Sequence, residues 1–120
     1  MKKPILFLLA PGFEGRGFAD NGRREYCPEC AEMWGVLSYF PAIKEAVDLR
    51  YESIAHPRSG LVELLGAGDH NCPTLVFPKG TVIPDGVRVE TANGYDYLPS
   101  ARGIGIYFAK LYGTPVPRGS

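Results

Sequence analysis

Ile5-Leu6-Phe7-Leu8-Leu9 is an unbroken apolar run between Lys2-Lys3-Pro4 and Pro11-Gly12. A strand covered on both faces reads this way, whereas a half-exposed strand alternates. Residues 10 to 26 follow with four glycines, several charges and two phenylalanines, and show no period. A connection of that length is either a surface loop or a functional one, here a lid beside Cys27 anchored by Phe13 or Phe18. From Pro28 to about Phe40 the pattern turns helical. Ala31, Trp34 and Leu37 recur with Met33, Val36 and Phe40 beside them, which predicts a buried stripe with Trp34 in the core. Pro41 closes that helix and opens a short second one through Val47. Asp48 to Ile54 alternates and predicts a strand, parallel to the first because a crossover separates them.

His56-Pro57-Arg58 is a turn. Ser59 then caps a short helix over residues 60–65, stopped by Gly66 and Gly68. Cys72 to Phe77 is β-rich and is turned by Pro78-Lys79-Gly80. Val87 to Thr91 and Tyr95 to Leu98 alternate on either side of Asn93-Gly94, a hairpin signal. Pro99 or Ser100 opens a last helix, Ala101 to Tyr112, with Ile104, Phe108, Leu111, Tyr107 and Ala109 toward the sheet. Gly103 and Gly105 weaken it locally. The fold class is α/β, a three-layer arrangement around a four-stranded mixed sheet in the order β-α-β-α-β-β-α.

Composition narrows the functional classes. The 120 residues suit one domain over 1–113 and a tail over 114–120. The ending Val116-Pro117-Arg118-Gly119-Ser120 has the look of a protease-cleavable tag linker. Thirteen basic side chains balance thirteen acidic ones, so no nucleic-acid or anionic membrane partner is expected. No apolar run nears the ~20 residues of a membrane span. The first apolar run is at the short limit for a secretory signal, and three cysteines make a poor secreted disulfide framework. A cytoplasmic location is therefore expected.

The chemistry concentrates in Tyr26-Cys27-Pro28-Glu29-Cys30. Proline suits the first helical position, where its missing N–H costs nothing. Cys27 then sits at the mouth of a helix and Cys30 one turn in. Unpaired N–H groups and the helix dipole, worth up to ~2 kcal/mol, favour a thiolate there. Glu25, Glu29 and Glu32 oppose the effect and Arg23 and Arg24 offset them, which predicts a mildly activated thiol.

With Cys27-Pro28-Glu29-Cys30 after the first strand and Cys72-Pro73-Thr74-Leu75 opening the third, the chain resembles the thioredoxin superfamily over about residues 4 to 113. Its glutaredoxin-like and glutathione-transferase N-terminal branches are the nearest. The resemblance implies a cis bond before Pro73 and a loop there packed against the active cysteine. The ending Tyr107 to Gly113 also resembles a transferase N-terminal domain. Such domains place an acid and a serine before that helix to hold glutathione. Here Pro99-Ser100 stands one residue out of register and lacks the acid. The long first loop and the Tyr26-Cys-Pro-x-Cys-Ala run are similar to an uncharacterised family of domains of unknown function, number 3088.

Two functional classes stay open. In the first, a thiol–disulfide oxidoreductase, Cys27 attacks a disulfide and Cys30 resolves the mixed disulfide. The Asn71-Cys72-Pro73 loop and Tyr26 would meet a protein or glutathione substrate, and no resident cofactor is required. In the second, a non-enzymatic binding module, Cys27, Cys30, Cys72 and His70 would hold zinc through three sulfurs and one nitrogen. The bland readings are a buried apolar Cys72 and a solvated His70.

Overall fold

A computed structural model describes residues 1–14 and 23–120. The expected anchor Phe18 lies outside the described residues. The apolar run forms strand β1, Ile5–Leu9, and all five of its side chains are buried. Successive side chains of a strand point to opposite faces. Burial of every one therefore means that both faces of the sheet are covered. The next elements are β2 (Phe13–Glu14) and β3 (Arg24–Glu25), a two-residue antiparallel ladder where an unstructured stretch was expected. Phe13 does pack against the core.

Helix α1, Pro28–Tyr39, and the short α2, Pro41–Ala46, carry the chain to β4, Asp48–Glu52. Residues 48–52 pair with β1 in parallel, as the crossover requires. After α3 (Ser59–Leu65) come β5 (Thr74–Val76), β6 (Glu90–Ala92), β7 (Tyr95–Leu98) and α4 (Ala101–Tyr112). The sheet order is β4-β1-β5-β7-β6, and every pair other than β1 with β4 is antiparallel. The protein is thus α/β, with a mixed five-stranded sheet and four helices among the described residues.

Several expectations change, each for a local reason. The sheet has five strands rather than four, because Asn93 and Gly94 both take positive φ and fold β6 back on β7. That edge strand is shorter than the Val87–Thr91 alternation suggested. Ser59 is inside α3, not its cap. The carboxylate of Glu52, arriving from β4, accepts from the Gly60 and Leu61 N–H groups at 3.4 and 3.0 Å. Gly60 allows this approach, since a Cβ there would stand 2.9 Å from the Phe7 ring. β4 buries its apolar positions only in part, with Leu49 half-buried against the core. Tyr51 is exposed and Glu52 is buried, because the strand lies at the sheet edge with α3 over its end.

Helix phases also differ in detail. The inner face of α1 is Cys30, Met33 and Leu37, which leaves Ala31 exposed and Trp34 half-buried. On α4 the inner positions are Ala101, Ile104, Gly105, Tyr107 and Phe108, while Leu111 is exposed. Ser100 caps α4 by accepting from the Gly103 N–H at 3.1 Å, and Gly113 ends it in a left-handed conformation.

Candidate functional site: three cysteines around the start of α1

The sequence from Cys27 to Cys30 folds as its residue types require. Pro28 occupies the first turn of α1 and Cys27 is the cap residue, with extended backbone. A cap side chain normally accepts from an N–H of the first turn. Here the acceptor is sulfur: the Cys30 N–H donates to Cys27 Sγ at 3.3 Å. Cys27 is partly exposed, and its Sγ lies 3.9 Å from the carbonyl oxygen of Cys72. The Cys72–Pro73 bond is cis. Arg23, expected to support Cys27, is instead paired with Glu25 at 2.6 Å.

Cys30 is buried against the end of β1, where the Leu9 N–H donates to its Sγ at 3.3 Å. Burial pushes its thiol up to about 12; the Leu9 N–H opposes this and the neighbouring Cys27 sulfur adds to it. Cys72 is buried too, and burial pushes its thiol up to about 11. There the nearby Arg58 guanidinium pulls the other way and Glu52 adds to the rise. Both thiols therefore stay protonated in the folded chain at pH values where the unfolded chain has begun to ionise. Their stabilising contribution is whole below about pH 9 and is lost as pH rises toward 11 and 12. Under reducing conditions the urea midpoint should fall steadily above about pH 9. A midpoint flat from neutral pH to about pH 11 would contradict this burial pattern.

The remaining expected residues divide. Tyr26 is exposed beside Cys27. Asn71 uses its side-chain NH2 to hold the Pro99 carbonyl at 2.8 Å, and its own carbonyl accepts from Thr74 Oγ1. It braces the loop. His70 is turned to the Gly66 carbonyl, 2.7 Å from its Nε2. The four proposed zinc ligands are not assembled: among the described residues no group of three or more His, Cys, Asp or Glu side chains is placed to hold a metal ion.

Two features had no signal in the sequence. Arg58, in an ordinary turn, is buried with its guanidinium donating to the carbonyls of Ser53, Ile54 and His70 at 3.0 to 3.1 Å. It ties the end of β4 to the loop that precedes Cys72. The second is a cavity of about 290 Å³ beside Cys27, walled by Leu9, Pro11, Tyr26, Ala31, Trp34 and Tyr51. Trp34, expected in the core, is therefore part of a wall, and its Nε1–H donates to the Tyr51 hydroxyl at 3.0 Å.

Taken together, the partly exposed Cys27 and the buried Cys30 one helical turn away make a CxxC-type pair near the start of α1, and the buried Cys72 belongs to the adjacent loop. Among the described residues no helix is long and apolar enough to cross a membrane. No curated protein and no solved structure matches the chain. The family described as "Protein of unknown function (DUF3088)" matches it over residues 3–116.

Proposed function

We propose, for a chain that belongs to the DUF3088 family and so takes no activity from that membership, that it is a thiol–disulfide oxidoreductase. The observation that supports this best is the setting of Cys27 Sγ: reachable, at the head of α1, and accepting the Cys30 N–H. In favour of a thioredoxin-like architecture stand the run from β1 through a CxxC-headed helix to a parallel β4, and the Cys72–Pro73 loop facing that helix end.

The reaction balances as two exchanges. Cys27 thiolate attacks one sulfur of a substrate disulfide R–S–S–R′, forming Cys27–S–S–R and releasing R′S⁻. Cys30, as thiolate, then attacks Cys27 Sγ and releases RS⁻, leaving a Cys27–Cys30 disulfide. The substrate gains two electrons and the protein loses them. An external dithiol returns the protein to its reduced form. Cys30 is well placed for the second step and badly placed for the first, being buried to 4% exposure. Protein or glutathione disulfides are both candidate substrates, and a reducing compartment such as the cytoplasm suits the cycle.

The reduced protein should catalyse reduction of bis(2-hydroxyethyl) disulfide by dithiothreitol above the rate of dithiothreitol alone. Metal analysis of the same sample separates the competing reading. Stoichiometric zinc with no turnover would replace the oxidoreductase by a metal-binding module.

A further inference from the structure

The cavity beside Cys27 is distinct from the loop at Cys72, none of whose residues lines it. Cys27 thus stands between two surfaces, the Cys72 carbonyl at 3.9 Å and this pocket. We infer that the pocket seats the group carried on the substrate sulfur, and that this group is uncharged and apolar, an aromatic ring on a short arm. This rests on Cys27 being the attacking sulfur and adds the substrate class.

Size, lining and rigidity support it. A cavity of about 150 Å³ holds benzene. The volume here, about 290 Å³, leaves room for one ring and the few atoms joining it to a sulfur. The walls are Leu9, Pro11, Tyr26, Ala31, Trp34 and Tyr51, with Cys27 and Cys30 at the sulfur end; none carries a charge. Among the described residues lining it, the two carboxylates and the ammonium of glutathione would find no charged partner. The polar groups that the walls do carry are the two tyrosine hydroxyls and the indole N–H, which is already spent on Tyr51. Trp34 is held from two directions, by the Tyr51 hydroxyl at 3.0 Å and by Lys44 Nζ 5.4 Å from the ring centroid. A ring entering the pocket therefore meets a wall already in position, so little ordering cost is added on binding. Aromatic walls of this kind bind rings in offset or edge-to-face contact.

Trp34 is the only tryptophan of the chain, so its fluorescence reports the pocket directly. Reduced protein titrated with N-acetyl-S-benzylcysteinamide, which carries a thioether and cannot exchange, should show a saturable change in Trp34 emission. S-methylglutathione should bind at least about tenfold more weakly. Tyr26→Ala and Tyr51→Ala each remove an exposed wall, and each should weaken the benzyl ligand several-fold while the unfolding midpoint stays in place. A linear, unsaturable titration overturns the inference. Equal binding of the two ligands, or tyrosine variants that bind as the parent does, overturns it as well. The two readings fail separately. Saturable benzyl binding without disulfide turnover removes the oxidoreductase and keeps the apolar pocket; turnover of bis(2-hydroxyethyl) disulfide without saturable binding removes the pocket and keeps the oxidoreductase.

Discussion

Cys27→Ser should reduce turnover of a small disulfide by on the order of 10³-fold or more, as loss of a catalytic nucleophile does elsewhere. Cys30→Ser should instead keep the first exchange and stop at a mixed disulfide. Intact-mass measurement would then show the protein heavier by one half of the substrate. The asymmetry follows from position. Cys27 Sγ is partly exposed, whereas Cys30 Sγ is enclosed and held by the Leu9 N–H. A substrate disulfide can meet only the first.

The buried thiol also gains when its turn comes. Part of what holds Cys30 up near 12 is the neighbouring Cys27 sulfur. Once Cys27 is bound to substrate it no longer carries a charge, and that contribution falls away. Burial is the larger cause and persists. The second exchange should therefore quicken with rising pH. A Cys27→Ser protein that reduces disulfides at the parent rate would sink the proposed mechanism. So would a Cys30→Ser protein that never gains mass.

Arg58→Leu should cost about 3–5 kcal/mol of stability, read as a fall in the urea midpoint at unchanged slope. For a chain of this length that corresponds to a melting temperature lower by roughly 10–20 °C. The guanidinium is 6% exposed and serves three carbonyls, those of Ser53, Ile54 and His70. Leucine fills much of the volume but leaves all three without that donor, and each orphaned acceptor costs on the order of 1–3 kcal/mol when water cannot reach it. Arg58→Lys should recover only part of the loss, since one ammonium cannot reproduce a planar fork. Because the same side chain fixes the His70 carbonyl, two residues before Cys72, turnover should fall along with stability. A midpoint shift below about 1 kcal/mol would mean that the carbonyls find water instead.

The legible part of this protein is the part governed by neighbours along the chain. An all-apolar run predicted a doubly covered strand, and β1 is buried at every position. Proline after cysteine predicted a helix mouth, and Cys27 caps α1. Asn93-Gly94 signalled a hairpin, and β6 with β7 forms it, although it adds a fifth strand. Pro99 or Ser100 marked the start of α4, and Ser100 is its cap. Each of these signals acts over a few residues, through steric limits on φ or through hydrogen bonds closed within one turn.

What depends on distant partners was not legible. Tyr51 alternated as a core residue should, and is exposed because β4 lies at the sheet edge. Trp34 shared the apolar period of α1, yet its half-exposed ring meets a hydroxyl seventeen residues away. His70 had the right chemistry for a ligand, and is turned to a carbonyl of its own loop. By itself the sequence determined the four helices, the first strand and which sulfur heads a helix, because backbone sterics and capping are local, while the short β2–β3 ladder carried no local signal. Only the tertiary structure decided that Glu52 and Arg58 are buried clasps and that an uncharged pocket opens beside Cys27. Burial and proximity are set by packing between elements, and no neighbouring residue encodes them.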